Sequence, residues 1–186
     1  TFKDKKKIIS RALIITCPYP QLKKLAKKYL DKKMINLDIS MEPNITVMLA
    51  IKGRNLPVSS INFNNDTLAW AANENSKKRF TSNINLWTLQ SSIKWSKKNI
   101  NTYKKNSVAL NCLVSSFLKL TGFKKKQIIY KKIHGWKYSY NLNKSPFKSH
   151  WNTKYKLGIC GDWMCGPKAE DAWTSATLLA DQINNS

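Results

Sequence analysis

A chain of 186 residues that is 42% apolar, with seven Trp, seven Tyr and six Phe, has enough side chains to bury for one or two domains, which excludes a disordered tail. The formal net charge of +23 raises a polyanion-binding surface, but thirty of the thirty-three basic residues are Lys, spread along the whole chain; only Arg11, Arg54 and Arg79 offer the planar fork that base and phosphate readers favour. We therefore expect a solvated basic surface and no nucleic-acid partner. No run of roughly eighteen uncharged apolar residues occurs, and Thr1-Phe2-Lys3-Asp4 lacks the apolar core of a secretory signal, so the expectation is a cytoplasmic protein with no membrane partner.

Residues 10–17 form a β-branched apolar run ended by Pro18 and Pro20, which predicts a strand. Leu22, Leu25, Ala26 and Tyr29 then share one face at helical spacing. The runs 45–51, 59–63, 68–72 and 86–91, with the turn signal Asn64-Asn65-Asp66, predict a meander of antiparallel strands. Helices are expected over 96–99 and 106–120, the second with Val108, Leu110, Leu113, Val114, Phe117 and Leu118 as its stripe and Gly122 at its C-cap. Alternation over 128–140 predicts a strand, with His134, Trp136, Tyr138 and Tyr140 on one face. A loop over 141–152, a short strand over 155–160 and a helix over 168–183 close the chain. That helix should bury Ala169, Ala172, Trp173, Ala176, Leu179, Ala180 and Ile183.

Cys17, Cys112, Cys160 and Cys165 contain no C-x-x-C pair, and neither His134 nor His150 stands at metal-ligand spacing to them. Free thiols and no metal site are expected.

Residues 157–173 read as strand, Gly161-Asp162 turn, Gly166-Pro167 turn and helix. Gly161 lets backbone approach a ligand closely. Asp162 can accept hydrogen bonds from sugar-type hydroxyls, and Pro167 is pre-set for a first helical turn. The free N–H groups near residues 168–170 would direct a positive dipole at an electron-rich ring edge. By itself this also fits an ordinary strand-to-helix connection.

The stretch 158–180 resembles the C-terminal flavin motif of the flavin amine-oxidase superfamily. Four other segments resemble its renalase-like branch of bacterial NAD/FAD-dependent oxidoreductases, in order: Ile15 to Gln21, Leu68 to Lys77, Lys94-Trp95-Ser96 and His134 to Ser139. The resemblance implies an FAD-dependent oxidoreductase that moves hydride from a reduced organic substrate, with a dihydronicotinamide favoured, to flavin and on to dioxygen. An amine oxidase or desaturase-like flavoenzyme on the same scaffold is the alternative within enzymes; a non-catalytic basic binding module is the alternative outside them.

By carry-over from that family, FAD would meet Gly161, Asp162, Trp163, Gly166, Glu170, Asp171, Ala172 and Trp173. Asp171 departs from the family, which has Gly there: a carboxylate facing the ring would oppose the charge of a reduced flavin unless it points elsewhere. For the wall of a small-molecule substrate pocket the candidates are Trp70, Asn73, Lys77, Arg79 and Gln90, with His134, Trp136, Tyr138 and Asn73 as candidate catalytic residues. Against these, a Trp or Tyr on a strand face is more often core than ligand contact, and a lone His more often a satisfied part of one.

Family members begin with a G-x-G-x-x-G turn, and none of the six glycines here is so arranged. The chain is therefore expected to be a fragment lacking the N-terminal FAD-binding half, inactive and unable to hold FAD alone, with self-association through the face left bare. The expected fold is α+β: a substrate-binding domain with a mixed or antiparallel sheet and flanking helices, plus the strand and closing helix of a two-layer FAD-binding domain. The boundaries follow as 1–33 for the end of the first flavin-domain stretch, 34–155 for the substrate-binding domain and 156–186 for the returning strand and helix.

Overall fold

A computed structural model describes residues 8–53, 55–79, 83–105 and 107–186, so Asn106, the expected first residue of the long helix, lies outside them. The chain forms two compact units. One is discontinuous, Thr1–Met41 with Tyr140–Ser186, and the other is Glu42–Ser139.

In the continuous unit the apolar alternations become strands β2 (Met41–Lys52), β3 (Ser60–Asn62), β4 (Leu68–Asn73), β5 (Ile84–Ser91) and β6 (Ile128–Asn141). Their order in the sheet is β3-β4-β5-β2-β6. This differs from the expected meander: only β3, β4 and β5 follow one another, and β2 pairs with β5 rather than β3. The long strands supply the reason. β2 and β5 pair over seven positions from Thr46↔Gln90 to Lys52↔Ile84, whereas the three residues of β3 could cover only part of β2.

Ile45, Val47, Leu49 and Ile51 of β2 are buried, as are Trp87 and Leu89 of β5. They share a core with Ala109, Leu113, Val114 and Phe117 of helix α4 (Val108–Thr121). Trp87, Phe63 and Phe123 surround the Phe117 ring at centroid distances of 5.2, 6.4 and 6.2 Å. Each fully buried side chain of this size contributes about 1.5–3 kcal/mol over its exposed state. Gly122 ends α4 at φ 79°, a left-handed conformation that glycine adopts without a Cβ penalty, and donates its N–H to Leu118. Helix α3 (Ile93–Asn99) starts one turn earlier than expected, because the Ser92 hydroxyl caps it by accepting from Trp95 N–H at 3.1 Å.

Strands β1 (Leu13–Ile15), β7 (His150–Asn152) and β8 (Leu157–Ile159) form the sheet of the discontinuous unit, in the order β1-β8-β7. The sheet is mixed: β1 runs parallel to β8 and β7 antiparallel to it. Helix α1 (Tyr19–Ala26) follows β1 after Pro18, and α2 (Lys32–Ile35) follows a short 3-10 turn. The Tyr19 hydroxyl donates to the carbonyls of Met34 and Ile35, at 3.0 and 2.8 Å, satisfying orphan acceptors at the end of α2. After β8 come α5 (Asp162–Cys165) and α6 (Ala169–Asn184).

Three short elements were not expected. β7 lies in the predicted loop, while α2 and α5 are single turns, too short for a periodic signal. Two predicted faces also differ. On α1 only Leu22 and Ala26 of the expected stripe are buried, while Leu25 is 70% exposed and Tyr29 is exposed too. On α6 the buried residues are Ser175 and Leu179, and Trp173, expected inside, is 77% exposed.

Candidate functional site

In open α/β sheets a ligand binds beyond the carboxyl ends of parallel strands, where backbone groups and following helices converge. Here those ends are Ile15-Thr16-Cys17 and Ile159-Cys160-Gly161, joined by the bond from Cys160 N–H to Ile15 at 3.3 Å. Gly161 donates its N–H to the Ser175 hydroxyl at 3.0 Å, and Ser175 donates in turn to the Lys148 carbonyl at 2.6 Å. Ser175, a polar residue within the otherwise small or apolar inner face of α6, thus fixes where β8 ends. No sequence argument singled it out, and its break in that face was the available signal.

Trp163 is 1% exposed. Its indole packs on Tyr19 at 5.4 Å and donates from Nε1 to the Cys17 carbonyl at 3.2 Å, so it ties the end of β1 to the turn after β8. A Cβ on Gly161 would meet that ring at 3.1 Å, which is why the residue two positions before the tryptophan carries no side chain. The neighbouring Asp162 is exposed, with Oδ1 accepting from Trp163 N–H at 2.8 Å.

Asp171 turns back toward its own helix end. Oδ2 accepts from Lys168 N–H at 2.9 Å, and a Cβ on Gly166 would meet the same oxygen at 2.6 Å. It serves as an internal anion at the start of α6. Ala172 is half-buried and Glu170 exposed. Burial pushes the Cys160 thiol up from its ordinary pKa, and burial followed by the Asp171 charge does the same to Cys165; both are neutral thiols at physiological pH.

In the continuous unit, Val47, Ala71 and Leu89 face the α4 core, so alternation places Thr46, Trp70 and Gln90 on the opposite face. Register brings them side by side, Trp70↔Gln90↔Thr46. On β6, Ile133 packs into the core and a Cβ on Gly135 would meet the Tyr103 ring at 2.5 Å. His134, Trp136 and Tyr138 therefore stand on the open face, with the His134 and Trp136 rings 4.4 Å apart. Farther along β2 and β5 a depression of about 410 Å³ is lined by Met48, Ala50, Glu74, Leu86, Thr88 and Tyr130, and none of these candidates is among its lining residues.

Three further candidates are placed differently. Asn73 is buried on the core side, where its amide donates to Asn55 Oδ1 and to the carbonyls of Leu56 and Val58, holding the 55–58 loop. Lys77 pairs with Glu74 at 2.5 Å, and Arg79 is exposed. Glu74, which no sequence argument selected, is the carboxylate at the depression. Burial works against its charge, but Lys77 and the Thr88 hydroxyl outweigh burial and hold its pKa below the usual range. Among the described residues no group of His, Cys, Asp and Glu is arranged to hold a metal ion, and no helix is long and apolar enough to cross a membrane.

No family model matches the chain. Solved structures do. One is the "Putative protoporphyrinogen oxidase" from Exiguobacterium sp. 255-15, with a TM-score of 0.63 at 10% identity over 94% of this chain. Another is the PF1083 protein from Pyrococcus furiosus, with a TM-score of 0.61 at 11% identity over 98% of this chain. The chain spans 41% and 43% of those two proteins. The likeness establishes the fold, α+β with a mixed and an antiparallel sheet and flanking helices, which is the class expected from the sequence.

Proposed function

We propose that this chain is part of an FAD-dependent oxidoreductase that moves hydride from a reduced organic substrate, with a dihydronicotinamide favoured, to flavin and then to dioxygen. The observation that carries the reading is the parallel β1/β8 pair closed by Gly161-Asp162 and α6, within a fold shared over nearly the whole chain with a protein named as an oxidase.

The residues at that strand end fit the cofactor at one side. Asp162 is exposed and can accept from ribityl-type hydroxyls, while Gly161 beside it is buried against the Trp163 ring. Trp163 would act from behind, by holding the two strand ends together rather than by touching the ligand. With Asp171 folded onto Lys168 N–H, its carboxylate is already engaged, which removes the objection to an acid in the family's glycine position. Flavin, when bound, supplies the hydride acceptor and passes the electron pair to dioxygen. Trp70, Gln90, His134, Trp136 and Tyr138 would bind and orient a planar substrate on the open sheet face and exclude water from it.

The partner in this reading is the N-terminal FAD-binding half. Among the described residues β1 is the outermost strand of its sheet, with its second edge unpaired. Leu13, Leu25, Tyr29 and Tyr155 line an apolar hollow of about 600 Å³ beside it. An open strand edge flanked by apolar side chains favours pairing with another strand. The chain of 186 residues alone would self-associate there and hold no flavin.

The test is to purify the complete gene product, record its visible spectrum, and assay dihydronicotinamide-dependent peroxide release. Oxidised-flavin absorbance and peroxide release support the proposal. Flavin absorbance with turnover of an amine instead shifts it to the alternative substrate class, and a colourless protein that binds nucleic acid in a salt-dependent way sinks it.

A further inference from the structure

The two edges of the five-stranded sheet are built differently. β3, at one edge, has three residues, which leaves little for another strand to pair with. β6, at the other, runs for 14 residues, and among the described residues its outer edge has no partner. No proline interrupts it. Burial follows the same division: interior β5 alternates half-buried and buried residues along its whole length, whereas no residue of β6 from Ile128 to Tyr140 is buried. Ile129, Tyr130 and Trp136 are among the exposed large side chains. The core does not need a further strand, because Ile128 and Ile133 already pack against it from β6. The edge is therefore open to a partner that the fold itself does not require.

Charge decides what fits there. Lys131, Lys132 and Lys137 are exposed on the strand. The acidic side chains of this unit are Glu42, Asp66 and Glu74, and they are already paired with Lys97, Lys94 and Lys77, at 2.7, 3.0 and 2.5 Å. Lys131 donates instead to the neutral Asn111 Oδ1 at 2.9 Å, and Lys137 stands over the Tyr138 ring at 5.7 Å. A second copy laid antiparallel over residues 131–137 would set Lys131 against Lys137, and like charges directly opposite destabilise a strand pair. An acidic strand meets the same positions with the opposite charge.

We propose that the outer edge of β6 takes an extended acidic segment of another protein as a sixth strand, over residues 129–139. Main-chain hydrogen bonds to the open edge hold the guest, and its side chains follow the alternation of β6. Cross-strand neighbours project to the same face. Lys132 thus selects a carboxylate on the face that carries Tyr130, His134 and Trp136, and Lys131 and Lys137 select carboxylates on the opposite face. Tyr130 and Trp136 select apolar residues. The guest therefore has two adjacent acidic residues at one end and a third at the other, beside an apolar one. It lies in the plane of the sheet, next to β6, so the site is separate from the open face assigned to the substrate and does not depend on the proposed redox activity.

The test uses the full chain, isotopically labelled, and a synthetic peptide of alternating Thr and Val with glutamates placed to face Lys131, Lys132 and Lys137. Binding should saturate, tighten as salt is lowered, and slow amide hydrogen exchange within residues 129–139 while leaving β3 unchanged. K132Q and K137Q should each weaken binding about twofold to fivefold, and the K132E/K137E double variant by about tenfold or more. These lysines are exposed, so the variants should keep the fold, which circular dichroism checks. The same peptide N-methylated at alternate residues, without the donors that face β6, should bind about tenfold more weakly. The proposal is overturned if the N-methylated peptide, or one with lysine in place of glutamate, binds as tightly as the acidic peptide. It is equally overturned if a single-stranded oligonucleotide outcompetes the peptide, if a second copy protects the β6 amides in its absence, or if no β6 amide is slowed at millimolar peptide.

Discussion

The five-stranded sheet of the Glu42–Ser139 unit lays Ile45, Val47, Leu49 and Leu89 beneath α4, with Phe117 closing the centre. The sheet of the other unit has only three strands of three residues each, with Leu13 of its outer strand 57% exposed and Ile14 exposed beside it. Long strands brought together by one continuous segment gave the first unit enough partners for one sheet face. The second unit brings together segments from both ends of the chain and, among the described residues, leaves apolar side chains at an unpaired edge. A core complete within its own segment is decided by its packing; one with an open edge also depends on what pairs there.

The sharpest way to break this comparison is to hollow the closed core. Phe117→Ala should cost about 3–5 kcal/mol, because three aromatic neighbours cannot all collapse into the space left behind. Denaturant unfolding followed by circular dichroism reads the loss, and a cost below about 1 kcal/mol would mean that α4 does not cover the sheet as described.

A smaller effect tests the turn after β8. Asp171→Ala removes the acceptor for Lys168 N–H and should cost about 1 kcal/mol, as for loss of a helix cap, with Asp171→Asn costing less. If Asp171→Ala leaves stability unchanged, the carboxylate is not engaged at the helix start. The least effect is expected on the open unit's outer surface: Trp173→Ala should stay within about 0.5 kcal/mol in the isolated chain, because that ring is 77% exposed. A loss of several kcal/mol would place Trp173 in a contact that only a second copy supplies, and analytical ultracentrifugation would register it as a change in oligomer.

Hydrophobic alternation and helical spacing depend only on near neighbours, and they were sufficient for β2, β4, β5, β6, α4 and α6, whose apolar residues recur within one element. The α+β class follows from that pattern, whereas the helical turn α5 that Asp162 opens between the last strand and the closing helix does not. Tertiary structure decided what neighbours in sequence cannot: that β2 lies between β5 and β6, that Trp163 turns inward onto Tyr19 and Cys17 and Asp171 back onto Lys168, and that Ser175 holds Gly161. Asp31 meets Asn152 across 121 positions, and no local period could announce that pair. The direction of a side chain and the partner of a buried polar group are set by which distant segments pack beside them, and that information is absent from any single stretch of the chain.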